Sequence, residues 1–514
     1  MTDTALPLSN RRRMTIYAAV LAGLFMAVLD MQIIATALPT IAADLGNLEL
    51  FGWVGAAYLL STAAVTPFYG KLGDLFGRKR VFIVAILLFS LGSLACALAW
   101  SMESLVAARV LQGLGGGGLM TSAFGILADL FEPRERAKYQ GYSSAVFTLA
   151  GLVGPVAGGL IAQSIGWEFI FLINLPIGAL VIAVLVLAMP TIAHTKRPSV
   201  DYLGGMLLAG AVTLTVFWAE EVLGGTASGT LGLVLPLLIV LAIAGFIFTE
   251  RRAAEPMVPL SLFTNHTIGL SLVISVLVGI SSLGMLNYFA LFLQTVTGLP
   301  PALAGLLFLP SSVGSLLASV GAGLLVARTG RYKIFPVIST ALGVLVLLGF
   351  AQVNMVTPIW AICVLMFFFS VSMGLQMQTL MVAVQNAAPR QDVGAATGTI
   401  SLARLIGASL GLAANGGLLT AGLIQAQADL PATVAAQLPA PLRDLTPDAI
   451  WALPPELSVQ VVGLFETAFD RIFYMGAGLF ALALCLSLLL RDVRLPAHDP
   501  KGQPVAAAVP GAAE

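Results

Sequence analysis

The hydrophobic positions of this 514-residue chain form long, nearly uninterrupted runs instead of alternating with polar positions. A helix needs about 20 apolar residues to cross the hydrocarbon core of a membrane, and membrane strands would show alternation. The pattern therefore predicts an all-α, polytopic membrane protein with 14 transmembrane helices. The fourteen runs begin near Met14, Phe51, Val81, Glu103, Tyr139, Trp167, Leu203, Leu231, His266, Pro301, Ile334, Thr357, Val393 and Ala468.

Lysine and arginine are concentrated in alternate connections between these runs. If the arginines at 11–13 lie in the cytoplasm, 21 of the 25 basic residues fall on that same side, as the positive-inside rule expects. Trp53, Trp100, Trp167, Trp218 and Trp360 fall at the opposite ends of the runs, where headgroup contact suits the indole ring. We therefore expect a multi-pass protein of the cell inner (plasma) membrane with both termini in the cytoplasm.

The composition excludes several classes of function. Hydrophobic residues make up 58% of the chain and charged residues 10%, and the 25 basic residues are balanced by 25 acidic ones. No basic surface for nucleic acid is expected. The cysteines lie inside apolar runs and the three histidines are far apart, so neither a disulfide framework nor a metal site is predicted. No phosphate loop or pair of nucleophile and base is recognisable, so we expect neither a cofactor nor an enzyme, and an ion gradient must supply the energy.

The two halves of the chain repeat one another in the same orientation. The segment from Gly70 to Arg80 is echoed at an offset of 253 by Gly323 to Lys333, and Pro133 is echoed at an offset of 256 by Pro389. Runs 1 to 6 thus correspond to runs 9 to 14, and runs 7 and 8 are inserted between them. The predicted divisions are a cytoplasmic N-terminus (1–13), a six-helix bundle (14–190), an inserted helix pair (191–265), a second six-helix bundle (266–490) that includes an outer loop (425–466), and a cytoplasmic tail (491–514).

This organisation resembles the major facilitator superfamily, and the fourteen runs resemble its drug:proton antiporter family of the EmrB/QacA type, from about Met14 to Arg491. Gly70 to Arg80 matches the superfamily's signature between spans 2 and 3. The other matching residues are Asp30 in span 1, Arg109, Gln112 and Gly113 in span 4, and the antiporter motif Gly154, Pro155, Gly158 and Gly159 in span 5. The resemblance implies proton-coupled efflux of lipophilic or cationic drugs by alternating access, with two six-helix bundles and an inserted pair.

Asp30 is the candidate proton-coupling residue, because it lies deep in span 1, where an ionised carboxylate is costly and a proton can be taken up. Arg109 lies at a similar depth in span 4 and could tune or displace that proton. The alternatives are a fixed ion pair for Asp30 and a structural clamp on helix carbonyls for Arg109.

Asp74 and Arg78 are four residues apart and are predicted to form a pair that fastens the cytoplasmic ends of the two halves in one state. Gly70, Gly77 and Arg331 belong to the same candidate gate. The alternative is that the basic residues only set the topology. In span 5, Gly154 and Pro155 could bend the helix, while Gly158 and Gly159 let a neighbour approach closely.

A large, weakly polar substrate cavity is predicted from polar and soft side chains in several spans. Arg404 could hold a substrate, contact a backbone carbonyl or lock the two halves together. Glu220 and Glu221 are expected in the outer headgroup zone, with a second coupling site as the alternative. The predicted cavity residues are Gln32, Gln112, Asn287, Tyr288, Phe292, Gln376 and Arg404.

The expected partners are a small lipophilic substrate, protons and membrane lipids, and a periplasmic adaptor is left open. Two other functions remain on the same fold. One is export of a specific physiological metabolite, lipid or siderophore. The other is a membrane sensor that transports nothing.

Overall fold

A computed structural model describes residues 8–45, 51–190, 201–218, 230–253, 256, 258–299, 306–445 and 447–492. Over these residues the chain is helical, without a strand, as the sequence predicted. The helices of ten or more residues are α1 Asn10–Leu45, α2 Phe51–Phe76, α3 Arg78–Ala97, α4 Met102–Leu130, α5 Pro133–Ser164, α6 Asn174–Ala188, α7 Tyr202–Trp218, α8 Thr230–Glu250, α9 His266–Ser281, α10 Leu286–Thr297, α11 Phe308–Thr329, α12 Ile334–Phe350, α13 Ile359–Ala387, α14 Val393–Asp429 and α15 Pro455–Leu489.

Each predicted apolar run coincides with one of these helices or a pair of them. Among the described residues, eight helices are long and apolar enough to cross a membrane, and four apolar helices are shorter. A multi-pass membrane protein follows from this, while fourteen crossings remain a prediction. The eight are 10–34 within α1, α3, α4, Glu168–Ala188 including α6, α11, α13, α14 and α15.

Local sequence explains where several helices begin and end. Ser101 and Ser104 form a capping box at the start of α4, and the side chain of Asn265 accepts hydrogen bonds from the first turn of α9. Gly77 separates α2 from α3 with φ 89°, and Gly330 ends α11 with φ 70°. A side chain would be strained at both positions, so glycine is required at equivalent points of the two halves.

Two boundaries differ from the prediction. The ninth run is broken into α9 and α10, and at the turn between them the backbone of Gly284 packs closely against Gly411 of α14. The outer loop predicted at 425–466 is shorter, because α14 extends to Asp429 and α15 begins at Pro455. Proline is compatible with the first turn of a helix. The added turns of α15 bury apolar side chains such as Val461 and Phe465, which hydropathy alone did not separate from loop sequence.

The helices before 190 pack mainly on one another, and so do those after 266. The inserted helices α7 and α8 pack together, and α7 also contacts α2 and α14. Val212 of α7 lies in a small apolar cluster with Ala63 of α2 and Leu402 of α14. Helix α7 of the inserted pair therefore lies against the seam between the two halves.

The halves meet closely at the helix ends that carry most of the connecting lysines and arginines, called here the basic end. A Cβ atom on Gly70 of α2 would lie 2.3 Å from the carbonyl oxygen of Gly394 in α14. A Cβ atom on Gly323 of α11 would lie 2.4 Å from the carbonyl oxygen of Ala137 in α5. Gly70 and Gly323 are repeat equivalents, as are Gly394 and Ala137, so the two contacts are related by the internal repeat.

Candidate functional site

Asp30 and Arg109 form an ion pair in the interior of the first half. The Nη1 atom of Arg109 donates to the Oδ2 atom of Asp30, and both residues are 1% exposed. Asp30 comes from α1 and Arg109 from the second turn of α4. Similar depth was what the sequence predicted, and the structure brings the two side chains into direct contact.

Three polar side chains complete the surroundings of this pair. Gln112 Nε2 donates to Asp30 Oδ1 at 2.7 Å, and Gln112 Oε1 accepts from Arg109 at 2.6 Å. Asn174 Nδ2 donates to the same Oδ1 at 3.2 Å and to Ser93 Oγ at 3.1 Å. All three are buried. We call Asp30, Ser93, Arg109, Gln112 and Asn174 the Asp30 cluster.

Arg109 also binds the N-terminal part of α2. Its Nε atom donates to the carbonyl oxygen of Val54 at 3.1 Å, and its guanidinium carbon lies 4.3 Å from the ring centroid of Tyr58. A cation over an aromatic face is favourable, more so where water is excluded. The guanidinium therefore has partners besides the carboxylate, and neutralising Asp30 would not leave it alone.

These contacts determine what the cluster can do chemically. A buried carboxylate is stable when ionised only if it is paired and hydrogen-bonded, and Asp30 has a cation and two amide donors. Taking up a proton would remove its charge-assisted bond to Arg109, while Val54, Tyr58 and Gln112 would still hold the guanidinium. The cluster is therefore an ion pair whose guanidinium keeps other partners, and both a proton-coupling role and a permanent ion pair are compatible with it.

At the basic end, Asp74 and Arg78 form the pair that the spacing predicted, with Nη2 and Oδ1 3.0 Å apart. Arg78 Nη1 also lies 3.0 Å from Oδ1 of Asp129 in α4 and donates to the carbonyl of Gly125. The second oxygen of Asp74 accepts the backbone N–H of Ala395 at 3.1 Å, across the two halves. Asp74 thus links the first half to the start of α14.

Asp74 acts as a helix cap supplied from another helix. Asp392 occupies the N-cap position of α14, but its side chain makes no cap hydrogen bond and instead lies 3.8 Å from Lys71 Nζ. The first N–H groups of a helix lack partners inside the helix and favour negative charge nearby. Asp74 meets one of those N–H groups, at Ala395, and so links the two halves at the basic end.

Two amide contacts extend this closure between α5 and α13. Gln140 Nε2 donates to Gln385 Oε1 at 2.9 Å, and Gln378 Nε2 donates to Ser144 Oγ at 3.0 Å. All four residues are buried. Sequence reasoning did not predict these pairings, because isolated polar residues in apolar spans give no sign of which helix they face.

Arg331 does not have the contacts of its repeat equivalent Arg78. Its side chain is exposed and forms no ion pair among the described residues. The equivalent of Asp74 in the second half is Ala327, so the acid that would pair with Arg331 at that spacing is missing. The charged part of the candidate gate therefore lies in the first half.

The antiporter motif packs α5 against α1. A Cβ atom on Gly154 would lie 2.6 Å from the Cβ atom of Gln32. Gly158 is buried. Pro155 and Gly159, which were predicted to bend the helix and to let a neighbour approach, are helical. Their side-chain surroundings fall outside the described part. Close helix approach at Gly154 agrees with the packing expected of small residues.

The residues predicted to line one large cavity are dispersed. Gln32 is exposed, and Gln112 belongs to the Asp30 cluster. Tyr288 is half-buried and donates to the carbonyl of Leu412 at 3.0 Å. The side-chain surroundings of Asn287 fall outside the described part, and Glu220 and Glu221 lie outside the described residues.

Phe292 was expected to line the cavity, but it lies in the core of the second half. It is 1% exposed, with its ring centroid 5.3 Å from that of Phe469 and 5.1 Å from that of Phe473. The residue type alone could not distinguish a core position from a cavity position, because phenylalanine is common in both.

Gln376 and Arg404 do share a cavity, between α9, α13 and α14. The cavity has a volume of about 40 Å³. The Nη2 atom of Arg404 donates to the carbonyl of Met377 at 3.1 Å, so contact with a backbone carbonyl, one of three roles considered for it, is present. The other residues that line the cavity are Ser275, Val278, Gly279, Ser282, Met373, Met377 and Leu380.

The residues that sequence reasoning missed in the Asp30 cluster are Ser93 and Asn174. Both lie in apolar helices with little other polar character. A buried amide or hydroxyl on an apolar helix needs a hydrogen-bonding partner, and this was the available signal. Asp129 and Asp392 at the basic end were also missed, because the sequence does not show which neighbouring helix their side chains face.

Comparison with known proteins identifies the architecture. The family model described as Major Facilitator Superfamily matches residues 20–412. An uncharacterized MFS-type transporter of Mycobacterium tuberculosis is 33% identical over 496 residues, covering 96% of this chain and 72% of the relative. The multidrug transporter protein MdtP of Bacillus subtilis is 30% identical over 521 residues, covering 94% of each chain.

Solved structures agree on the fold. The human organic anion transporter MFSD10 superposes with a TM-score of 0.61 at 15% identity, covering 92% of this chain and 99% of the other. The proton:xylose symporter XylE superposes with a TM-score of 0.59 at 16% identity, covering 94% and 97%. At these identities the likeness concerns the fold alone.

Proposed function

The chain belongs to the major facilitator superfamily and is a multi-pass membrane transporter rather than an enzyme, and we propose that it exports lipophilic compounds in exchange for protons. The drug:proton antiporter family with fourteen spans is the subtype we propose. The cell inner membrane is the proposed location, with both termini and the basic end in the cytoplasm. Relatives named multidrug transporter and efflux pump, at about 30% identity, support export as the direction.

The observation that carries the proposal is the Asp30 cluster. It places an ionisable carboxylate at 1% exposure, paired with an arginine that keeps other partners. In this proposal, a proton from outside neutralises Asp30 and loosens its bond to Arg109. Substrate and proton then leave on opposite sides in one cycle, and an ion gradient supplies about 2.3 kcal/mol per charge at 100 mV.

The helix α2 provides a physical link between the proton site and the gate. Its first turn contacts Arg109 through Val54, and its last turns carry Gly70 and Asp74 against α14. A change in the bond between Asp30 and Arg109 would alter the hold of Arg109 on α2. We propose that α2 transmits protonation of Asp30 to the closure of the basic end.

Transport in proteoliposomes tests the proposal. Vesicles holding purified protein and either ethidium, a lipophilic cation, or 1-pyrenesulfonate, a permanent anion, are given a pH gradient. We expect gradient-driven movement of at least one probe by the wild type and its loss in Asp30→Asn. Asp44→Asn is the matched control, since Asp44 accepts from Trp167 Nε1 at 3.0 Å, away from the cluster. Proton-driven movement that persists in folded Asp30→Asn, or no movement of either probe, would overturn the proposal.

A further inference from the structure

The cavity between α9, α13 and α14 has both polar and apolar lining residues. The polar ones include Arg404, Gln376 and Ser275, and the apolar ones include Met373, Met377 and Leu380. Its volume of about 40 Å³ suits a head group and is too small for a whole drug-sized molecule, for which about 300 Å³ or more is usual.

Two of the polar lining residues carry hydrogen-bonding capacity that the described part of the protein leaves unused. Gln376 is 3% exposed, and its Nε2 atom has no partner among the described residues, although its Oε1 accepts from Ser339 Oγ at 3.1 Å. Ser275 is 5% exposed and its Oγ is likewise unpartnered within the described part. Buried polar groups are nearly always satisfied, so these unpaired atoms are available to bind a molecule in the cavity.

Arg404 adds a positive charge without a balancing acid. Within the described residues no carboxylate lies within ion-pair distance of it, and its one described side-chain hydrogen bond goes to Met377. A guanidinium presents five N–H donors and no acceptor. In contrast to Arg109, whose charge is matched by Asp30, Arg404 offers an unmatched cation to the cavity.

We propose that this cavity binds the anionic head group, a carboxylate or similar oxyanion, of the compound that the protein exports. The donors at Arg404 and Gln376 match two oxygens of such a group, and the methionines and Leu380 receive the start of a lipophilic body. A cationic head group would be repelled by Arg404 and would find few acceptors. The inference rests on the proposed function only in assuming that the bound ligand is the compound being exported. It replaces the cationic substrates expected from the sequence with anionic ones.

Binding of three matched probes tests the inference without any gradient. The probes are 1-pyrenebutyrate, its primary amide and the corresponding 4-(1-pyrenyl)butylammonium, titrated with purified full-length protein in nanodiscs. Empty nanodiscs measure partition into lipid. We expect the carboxylate to bind at least about tenfold more tightly than the amide, as charge-assisted hydrogen bonds predict, and the ammonium to bind most weakly.

Two variants and one control connect the preference to the cavity. Arg404→Gln is expected to weaken carboxylate binding about tenfold, to the level of the amide. Gln376→Glu places a carboxylate beside Arg404. The new carboxylate is expected to pair with the arginine and to prevent the carboxylate probe from binding. This variant tests the inference if Arg404→Gln does not fold. Arg251→Gln, which removes an exposed arginine elsewhere, should leave all three affinities unchanged.

Equal affinity for carboxylate and amide, no saturable carboxylate binding, or a preference that survives in both cavity variants would overturn the inference. Because no gradient is present, this outcome is independent of proton coupling. A chain that fails the proteoliposome test can still show the carboxylate preference, and a coupled exporter can lack it.

Discussion

The carboxylate of Asp74 in α2 accepts the backbone N–H of Ala395 in α14 at 3.1 Å, and this contact joins the two halves of the transporter. The same carboxylate pairs with Arg78 at 3.0 Å, which in turn reaches Asp129. One acid therefore connects three helices of the first half to the first turn of a helix in the second. Its equivalent in the second half is Ala327. The close glycine contact at the basic end therefore occurs in both halves, but the carboxylate of Asp74 has no counterpart.

Asp74→Asn should loosen the first turn of α14. The neutral amide accepts a weaker hydrogen bond and no longer complements the helix N-terminus, for a loss of about 1 to 2 kcal/mol. We expect amide hydrogen exchange of residues 393–397 to become about five- to thirtyfold faster. Asp44→Asn serves as the control, and unchanged exchange in Asp74→Asn would show that the contact does not hold the basic end closed.

Adding one methyl group at Gly70 or Gly323 should hinder closure of the basic end. The new Cβ atom would lie 2.3 or 2.4 Å from a backbone carbonyl oxygen of the opposite half, and backbone cannot move aside as a flexible side chain can. We expect each alanine variant to reduce transport and to increase labelling of cysteines introduced at the basic end.

Gly321→Ala is the matched control for this pair, because a Cβ atom there would meet nothing within 4 Å. It lies two residues from Gly323 on the same helix. Equal transport by all three variants would contradict the tight closure that the structure describes.

Phe292→Ala should destabilise the second half without changing which compounds are bound. Phe292 contacts Phe350, Phe469 and Phe473, and truncating a fully packed aromatic ring costs about 3 kcal/mol or more. Thermal unfolding in nanodiscs should show a lower Tm. Phe368→Ala, at a side chain 42% exposed, should cost little, because lipid can replace the lost contacts. A normal Tm with altered probe affinity would instead place Phe292 at the binding site.

The sequence predicted the helices and the depth of Asp30 because both follow from properties local to one segment. Apolar runs of sufficient length must be helical in a membrane, and one acid in such a run stands out against its neighbours. Pairing between Asp74 and Arg78 was predictable for the same reason, since four residues separate them along the chain.

Contacts that depend on how helices face each other were not predictable in this way. Asn174 could have faced lipid, a neighbour or a cavity, and only packing places it 3.2 Å from Asp30. Phe292 was assigned to the cavity, but a phenylalanine in an apolar span can equally well pack in a core, where the structure places it. Arg404 was recognised as unusual, but its neighbours Gln376 and Ser275 come from two other helices, so the site exists only in the folded chain.

The most direct test of the account is whether substrate binding changes the protonation of Asp30. Purified protein in weakly buffered detergent solution, with a pH indicator present, is mixed with saturating 1-pyrenebutyrate, which is itself ionised at neutral pH. The account predicts a change of about one bound proton per transporter in wild type and Asp44→Asn, and none in Asp30→Asn. An equal change in folded Asp30→Asn, or no change in the wild type despite saturable binding, would contradict it.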